Sequence, residues 1–146
     1  MNVYGILVVD DFTAWREQVC AMLQSRPHLR VVAEAEDGLE AIRKVAELKP
    51  DLILLDIGMP VLNGIEAAKR ISRILPDAKI LFVTQENDPD VADTALSNGA
   101  KGLVLKINAH RELLPAIQTV LEGRRFIGSG VTQNFLNPSS PLQVVR

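Results

Sequence analysis

At 146 residues, with 47% apolar and 23% charged side chains, the chain has the size and composition of one globular domain and not of a disordered or fibrous polymer. A formal net charge of −2 argues against nucleic-acid binding by the chain as a whole, since that requires a basic patch or stripe. Cys20 is the single cysteine, which excludes an intrachain disulfide and suits a reducing compartment. The opening MNVYGILVVDD lacks the basic start of a signal peptide, and no apolar run nears the roughly 18 residues of a membrane span. The expectation is a soluble, cytoplasmic protein with no membrane partner.

In chain order, short runs of Val, Ile and Leu alternate with amphipathic stretches. The runs show no polar alternation, which predicts strands covered on both faces, as in a parallel sheet. The run Ile6–Val9 precedes a helical pattern with Trp15, Val19, Met22 and Leu23 on one face. Val31–Ala35 precedes a second, lined by Ala41, Ile42, Val45 and Leu48 and stopped by Pro50. Leu52–Leu55 precedes a third, carrying Ile65, Ala68, Ile71 and Leu75 and stopped by Pro76. Asn63 is placed to cap that helix, with Glu66 as its capping partner. Ile80–Val83 precedes a shorter, weaker pattern of Val91, Ala95 and Leu96 that closes at Gly99. Leu103–Leu105 precedes the fifth, with Leu113, Ile117, Val120 and Leu121. Pro115 suits the first turn if that helix starts near Arg111. It costs up to about 3 kcal/mol, or a kink, if the start is near Asn108. From residue 124 to 146 the pattern fails and reads as a tail or linker, with a short helix around Thr132–Leu136. The alternation implies an α/β fold with helices on both faces and right-handed crossovers.

In such sheets ligands bind beyond the carboxyl ends of the strands. Polar residues follow the apolar runs there: Asp10 and Asp11 after the first, Asp56 after the third, Thr84 after the fourth and Lys106 after the fifth. The second run has only Glu34 and Glu36 nearby. Three clustered carboxylates repel, and a hard divalent cation with oxygen ligands relieves the repulsion. Mg2+ is the expected ion, because it keeps waters and leaves positions open for a phosphoryl group. Asp56 is the candidate nucleophile for phosphoryl transfer, with Thr84 as hydroxyl donor and Lys106 as the opposing charge.

These residues resemble the receiver domains of two-component response regulators. The marks are ILVVDD at 6–11, LLDIGMP at 54–60 with Asn63, Gly64 and Glu66 following, FVT at 82–84 and GAKGLVLK at 99–106. The resemblance covers about residues 3–123 and is nearest to the NarL/FixJ type. It implies a flavodoxin-like fold with a five-stranded sheet ordered 2-1-3-4-5, five helices, a receiver over 1–123 and a tail or interdomain linker over 124–146. It also implies Asp56 as phosphoacceptor and Asp11 as direct metal ligand. Asp10 is then the acidic neighbour acting through water, and Gly58 completes the metal site through its carbonyl. Thr84 and Lys106 match the switch hydroxyl and the phosphate-pairing lysine. A sensor histidine kinase is the implied donor, and the output is an altered interaction surface, read by a homodimer partner or a downstream protein. Transcription control follows if the parent polypeptide carries a helix-turn-helix domain, which this chain lacks. Two positions depart from the pattern. Leu103 stands where many receivers have an aromatic residue, and Ile107 stands where many have proline.

Other readings compete. A small Mg2+-dependent aspartyl phosphohydrolase needs an acid–base carboxylate two residues after its nucleophile, and that position is Gly58. A phosphorylation-independent scaffold has no use for the full acidic set. Asp11 is also placed to cap the first helix. Asp51, His28, His110, Cys20, Trp15 and the Arg124–Arg125 pair read as structural or solvated.

Overall fold

The computed structural model describes residues 2–132. Strands β1 (Tyr4–Val9), β2 (Leu29–Ala35), β3 (Leu52–Leu55), β4 (Lys79–Thr84) and β5 (Gly102–Leu105) alternate with helices α1 (Thr13–Gln24), α2 (Gly38–Leu48), α3 (Gly64–Ile74), α4 (Pro89–Ser97) and α5 (Ala109–Leu121). Each of the five expected strands and helices is present. A further short strand, β6 (Phe126–Ile127), follows α5, so the sheet has six strands in the order β2-β1-β3-β4-β5-β6, all paired in parallel. The expectation of five strands is corrected on this point. Two residues between Gly and Arg neighbours carry no periodic signal, and only pairing with Gly102 and Leu103 makes them a strand. The short helix expected around Thr132–Leu136 lies beyond the described residues, apart from Thr132.

Strand alternation divides the core in two. Leu7, Val9, Ile53, Leu55, Phe82 and Leu103 face α2, α3 and α4, while Ile6, Val8, Leu52, Leu54, Leu81 and Val104 face α1 and α5. Both faces are therefore apolar, which is why the strands show no polar alternation. Pro50, Pro76 and Gly99 each stand two residues beyond the end of a helix. Asn63 caps α3, its carboxamide oxygen accepting the Glu66 N–H at 3.0 Å. The Glu66 carboxylate faces Lys69 and Arg70. Leu48, expected on the inner face of α2, is exposed at the helix end, one residue before the left-handed Lys49.

Pro115 lies inside α5, six residues past its start, because a 3-10 turn at Lys106–Asn108 runs directly into a helix beginning at Ala109. Proline there removes the N–H that would bond to the Arg111 carbonyl. Pro115→Ala is therefore expected to stabilise the fold by about 2 kcal/mol. That figure is the roughly 3 kcal/mol interior penalty less the entropy proline removes from the unfolded chain. Urea denaturation would show it as a higher midpoint at unchanged slope.

Candidate functional site

The carboxyl ends of β1 and β3 are neighbours, with Val9 paired to Leu55, and the ladder continues as the Asp56 N–H donates to the Val9 carbonyl at 3.0 Å. That register places Asp10 and Asp56 side by side. Likewise β4 and β5 pair Thr84 with Leu105, which sets Lys106 beside the end of β4. Asp10, Asp11 and Asp56 each offer a carboxylate oxygen within 4.8 Å of the others. Asp10, Asp56 and Thr84 are buried, and Asp11 is exposed. An open pocket of about 250 Å³ is lined by Asp11, Phe12, Asp56, Gly58, Gln85 and Lys106.

Local turns hold the carboxylates. Asp56 Oδ1 accepts the Ile57 N–H at 2.9 Å, and Asp10 Oδ1 accepts the Phe12 N–H at 2.9 Å. Asp11 does not cap α1: the cap residue is Phe12, without a side-chain cap bond. Its carboxylate thus stays at the pocket rim. Lys106 Nζ is 2.6 Å from Asp10 Oδ2 and 3.8 Å from Asp56 Oδ2. The nearer contact pairs the buried Asp10 Oδ2 with the ammonium and leaves Asp56 the more distant partner. Burial first, and then the Asp10 charge, push the Asp56 carboxyl above its ordinary range, while Lys106 and the Ile57 N–H oppose them. Three carboxylates facing one ammonium at an open pocket leave negative charge in excess, and this all-oxygen set fits a hard divalent cation.

Trp15 sits half-buried beside this site. Lys106 Nζ lies 5.3 Å from the centre of its ring, within cation–π range. Since Trp15 is the single tryptophan, its emission should change as Mg2+ is titrated in and the ammonium is redistributed. Lys106→Met is expected to remove that response.

Sequence reasoning passed over Arg16. It is buried, and its guanidinium donates to the Asp10 carbonyl at 2.6 Å, to Glu34 Oε1 at 2.9 Å and to Thr13 Oγ1 at 3.3 Å. The available signal was spacing: Arg16, Val19 and Leu23 follow an i, i+3, i+7 stripe. Glu34 is thus engaged with Arg16 and Lys44, and Glu36 donates its N–H to Glu40, away from the carboxylate cluster. Asp51 is more than a solvated residue, since its Oδ2 accepts the Gly5 N–H at 2.7 Å at the opposite end of the sheet. Burial, then Glu34, raises the Cys20 thiol above its ordinary value, which weakens it as a nucleophile. Leu103 is buried in the same core cluster as Ala92, Ala95 and Leu96 of α4.

Gly64 is required by close approach. A Cβ there would lie 1.9 Å from the Asp56 carbonyl oxygen. Gly64→Ala is expected to cost about 3 kcal/mol and to displace Asp56. A lower melting temperature together with weakened Mg2+ binding would report it.

A six-stranded parallel sheet with an acidic pocket at its carboxyl edge, a facing lysine and a buried threonine defines a receiver-type α/β protein. Residues 6–118 match the family described as the response regulator receiver domain, and the chain belongs to that family. It is 39% identical over 132 residues to the transcriptional regulatory protein LnrK of Bacillus subtilis strain 168, covering 90% of this chain and 60% of that protein. It is 36% identical to the transcriptional regulatory protein DegU of Brevibacillus brevis, covering 92% and 57%. Among solved structures, a LuxR-family two-component response regulator from Aurantimonas sp. SI85-9A1 superposes with a TM-score of 0.85 at 35% identity, covering 89% and 93%. The isolated receiver of RcsB from Salmonella enterica serovar Typhimurium, solved with the phosphomimetic BeF3−, gives 0.83 at 26% identity, covering 89% and 96%. The chain spans about three-fifths of the length of the relatives LnrK and DegU. As a response regulator receiver it is a signalling domain.

Proposed function

We propose that Asp56 accepts a phosphoryl group from a sensor histidine kinase, with Mg2+ held by Asp10, Asp11, Asp56 and the Gly58 carbonyl. The observation that carries this reading is the meeting of three carboxylates and one ammonium at a single open pocket. Asp11 and Asp56 would contact the ion directly, and Asp10 would act through water. Bound Mg2+ would neutralise the carboxylates and orient phosphoryl oxygens. The Asp56 carboxylate oxygen attacks phosphorus in line as the P–N bond to the kinase histidine breaks and its imidazole departs with the electron pair, and Lys106 leaves Asp10 to pair with a phosphoryl oxygen. The Thr84 hydroxyl, now accepting the Glu86 N–H at 3.0 Å, turns to donate to another. Gly58 offers no acid–base carboxylate at the second position past Asp56, which favours a long-lived acyl phosphate over multiple turnover.

The receiver's output would be a changed protein surface near α4 and β5, with homodimerisation as one form. Because β6 belongs to the sheet, the linker side of the unit would begin past Ile127 and not at residue 124. By analogy with the transcriptional regulators it matches, the parent protein would control transcription from the cytoplasm, with DNA contact made by a further domain.

Intact mass after incubation with acetyl phosphate tests the proposal. One added phosphoryl group, mapped to Asp56 and lost when Mg2+ is chelated, is the expected result. An unmodified mass with undepleted donor would overturn it. Release of phosphate far beyond one equivalent would favour the hydrolase.

A further inference from the structure

The segment after β6 runs back over the carboxyl edge of the sheet and is held by side chains from two loops. Asn87 in the β4–α4 loop grips it twice: its Nδ2 donates to the Gly130 carbonyl at 3.0 Å, and its Oδ1 accepts the Thr132 N–H at 3.2 Å. Asn108, after β5, donates from Nδ2 to the Ser129 carbonyl at 3.0 Å. Glu112 accepts the Ser129 N–H at 3.0 Å, and the Gly128 N–H donates to the Leu103 carbonyl at 2.8 Å. Gly128 lies so close that a Cβ would meet Glu112 Oε1 at 2.9 Å and the Leu103 oxygen at 3.0 Å.

The two asparagines have a common relation to the site. Asn87 follows Thr84 by three residues, and Asn108 follows Lys106 by two. Thr84 and Lys106 are the two side chains that a phosphoryl group on Asp56 would draw inward. Asn108 also occupies the cap position of α5, where asparagine ordinarily bonds to the helix's own N–H groups, yet it makes no cap bond. Its carboxamide is given to Ser129 and to Arg111. The Glu86 N–H, adjacent to Asn87, is anchored on Thr84 Oγ1. Turning that hydroxyl toward a phosphoryl oxygen frees this N–H and, with it, the loop that positions Asn87.

We propose that Asn87 and Asn108 form a latch on Gly128–Thr132 that phosphorylation opens. The latch rests on the reading of Asp56 as phosphoacceptor and names how that site is coupled to the chain beyond it. The chain continues past Thr132 in sequence, so release of Gly128–Thr132 changes the point from which it continues. A ligand shifts such a two-state element only by contacting its states differently, and the Thr84 hydroxyl and Lys106 ammonium supply those differential contacts.

The test is amide hydrogen exchange on the 146-residue chain, with Mg2+ and beryllofluoride as the phosphoryl mimic and fluorine NMR to report its binding. In the resting protein Ser129 and Thr132 should exchange slowly. Once the mimic binds they should exchange about tenfold faster, the scale of a local opening. The Asn87→Ala/Asn108→Ala protein should show the fast rate at Thr132, whose N–H Asn87 accepts, without the mimic, while Asp56→Asn should show neither bound fluoride nor acceleration. Bound fluoride with unchanged exchange at Ser129 and Thr132 would overturn the latch and leave the Asp56 reading intact. Slow exchange at Thr132 in the double variant would also overturn it, since the two side chains would not be what holds the segment. No bound fluoride signal in the wild type would instead sink the Asp56 reading, and the coupling with it.

Discussion

The Asp56→Asn protein is expected to take up no phosphoryl group and, in metal-free buffer at neutral pH, to be more stable than the wild type. The carboxamide cannot serve as the phosphoryl acceptor. It also removes one of three negative charges gathered within 4.8 Å, at a residue that is 6% exposed. Lys106 offsets only part of that charge, and it lies nearer Asp10 than Asp56. Relief of a buried, poorly compensated charge is worth on the order of 1–2 kcal/mol. The pH dependence has a definite sign. Burial and Asp10 raise the Asp56 pKa in the folded state. Its favourable contribution is therefore fully present below the unfolded carboxyl value and is lost as pH rises through the folded one. The variant's advantage should thus be largest at neutral pH and vanish on acidification through that window. Thermal melts across pH, with and without Mg2+, measure it. Mg2+ should stabilise the wild type and narrow the gap. Equal stability of the two proteins in metal-free buffer would mean that Lys106 already balances the cluster.

Arg16→Met is expected to destabilise the protein by about 2–3 kcal/mol, although it retains helix propensity and much of the aliphatic volume. The guanidinium joins β1, α1 and β2 through the Asp10 carbonyl, Thr13 and Glu34. The charge-assisted bond to the buried Asp10 carbonyl carries most of the expected loss, because the deletion leaves that oxygen without this partner. The Glu34 pair adds less, since its carboxylate is 43% exposed and screened. The change also loosens the backbone that aims Asp10 and Asp11, so Mg2+ affinity should fall with stability. Chemical denaturation together with the Trp15-monitored Mg2+ titration separates the two effects. Undiminished stability would show that water replaces the guanidinium at the Asp10 carbonyl.

The parallel α/β class and the candidate residues were legible from the order of side chains alone. Strands such as Leu52–Leu55 are apolar on both faces, and only a sheet covered by helices on both sides buries both. Asp10, Asp56, Thr84 and Lys106 were legible because each follows an apolar run, and a parallel sheet gathers the ends of its strands on one edge. Features that depend on partners distant in the chain emerged with the fold. Arg16 reads as an ordinary helix charge until Glu34 and the Asp10 carbonyl surround it. Trp15 reads as a core residue until the Lys106 ammonium is found against its ring. The pair Phe126–Ile127 becomes a strand only by adding to the free edge of β5. Asn87 and Asn108 look like loop residues, and their grip on residues 129–132 spans 43, 45 and 21 positions of sequence. Local periodicity reports which face of an element is buried, but a polar side chain's partner is set by strand order and register, which no short window of sequence contains.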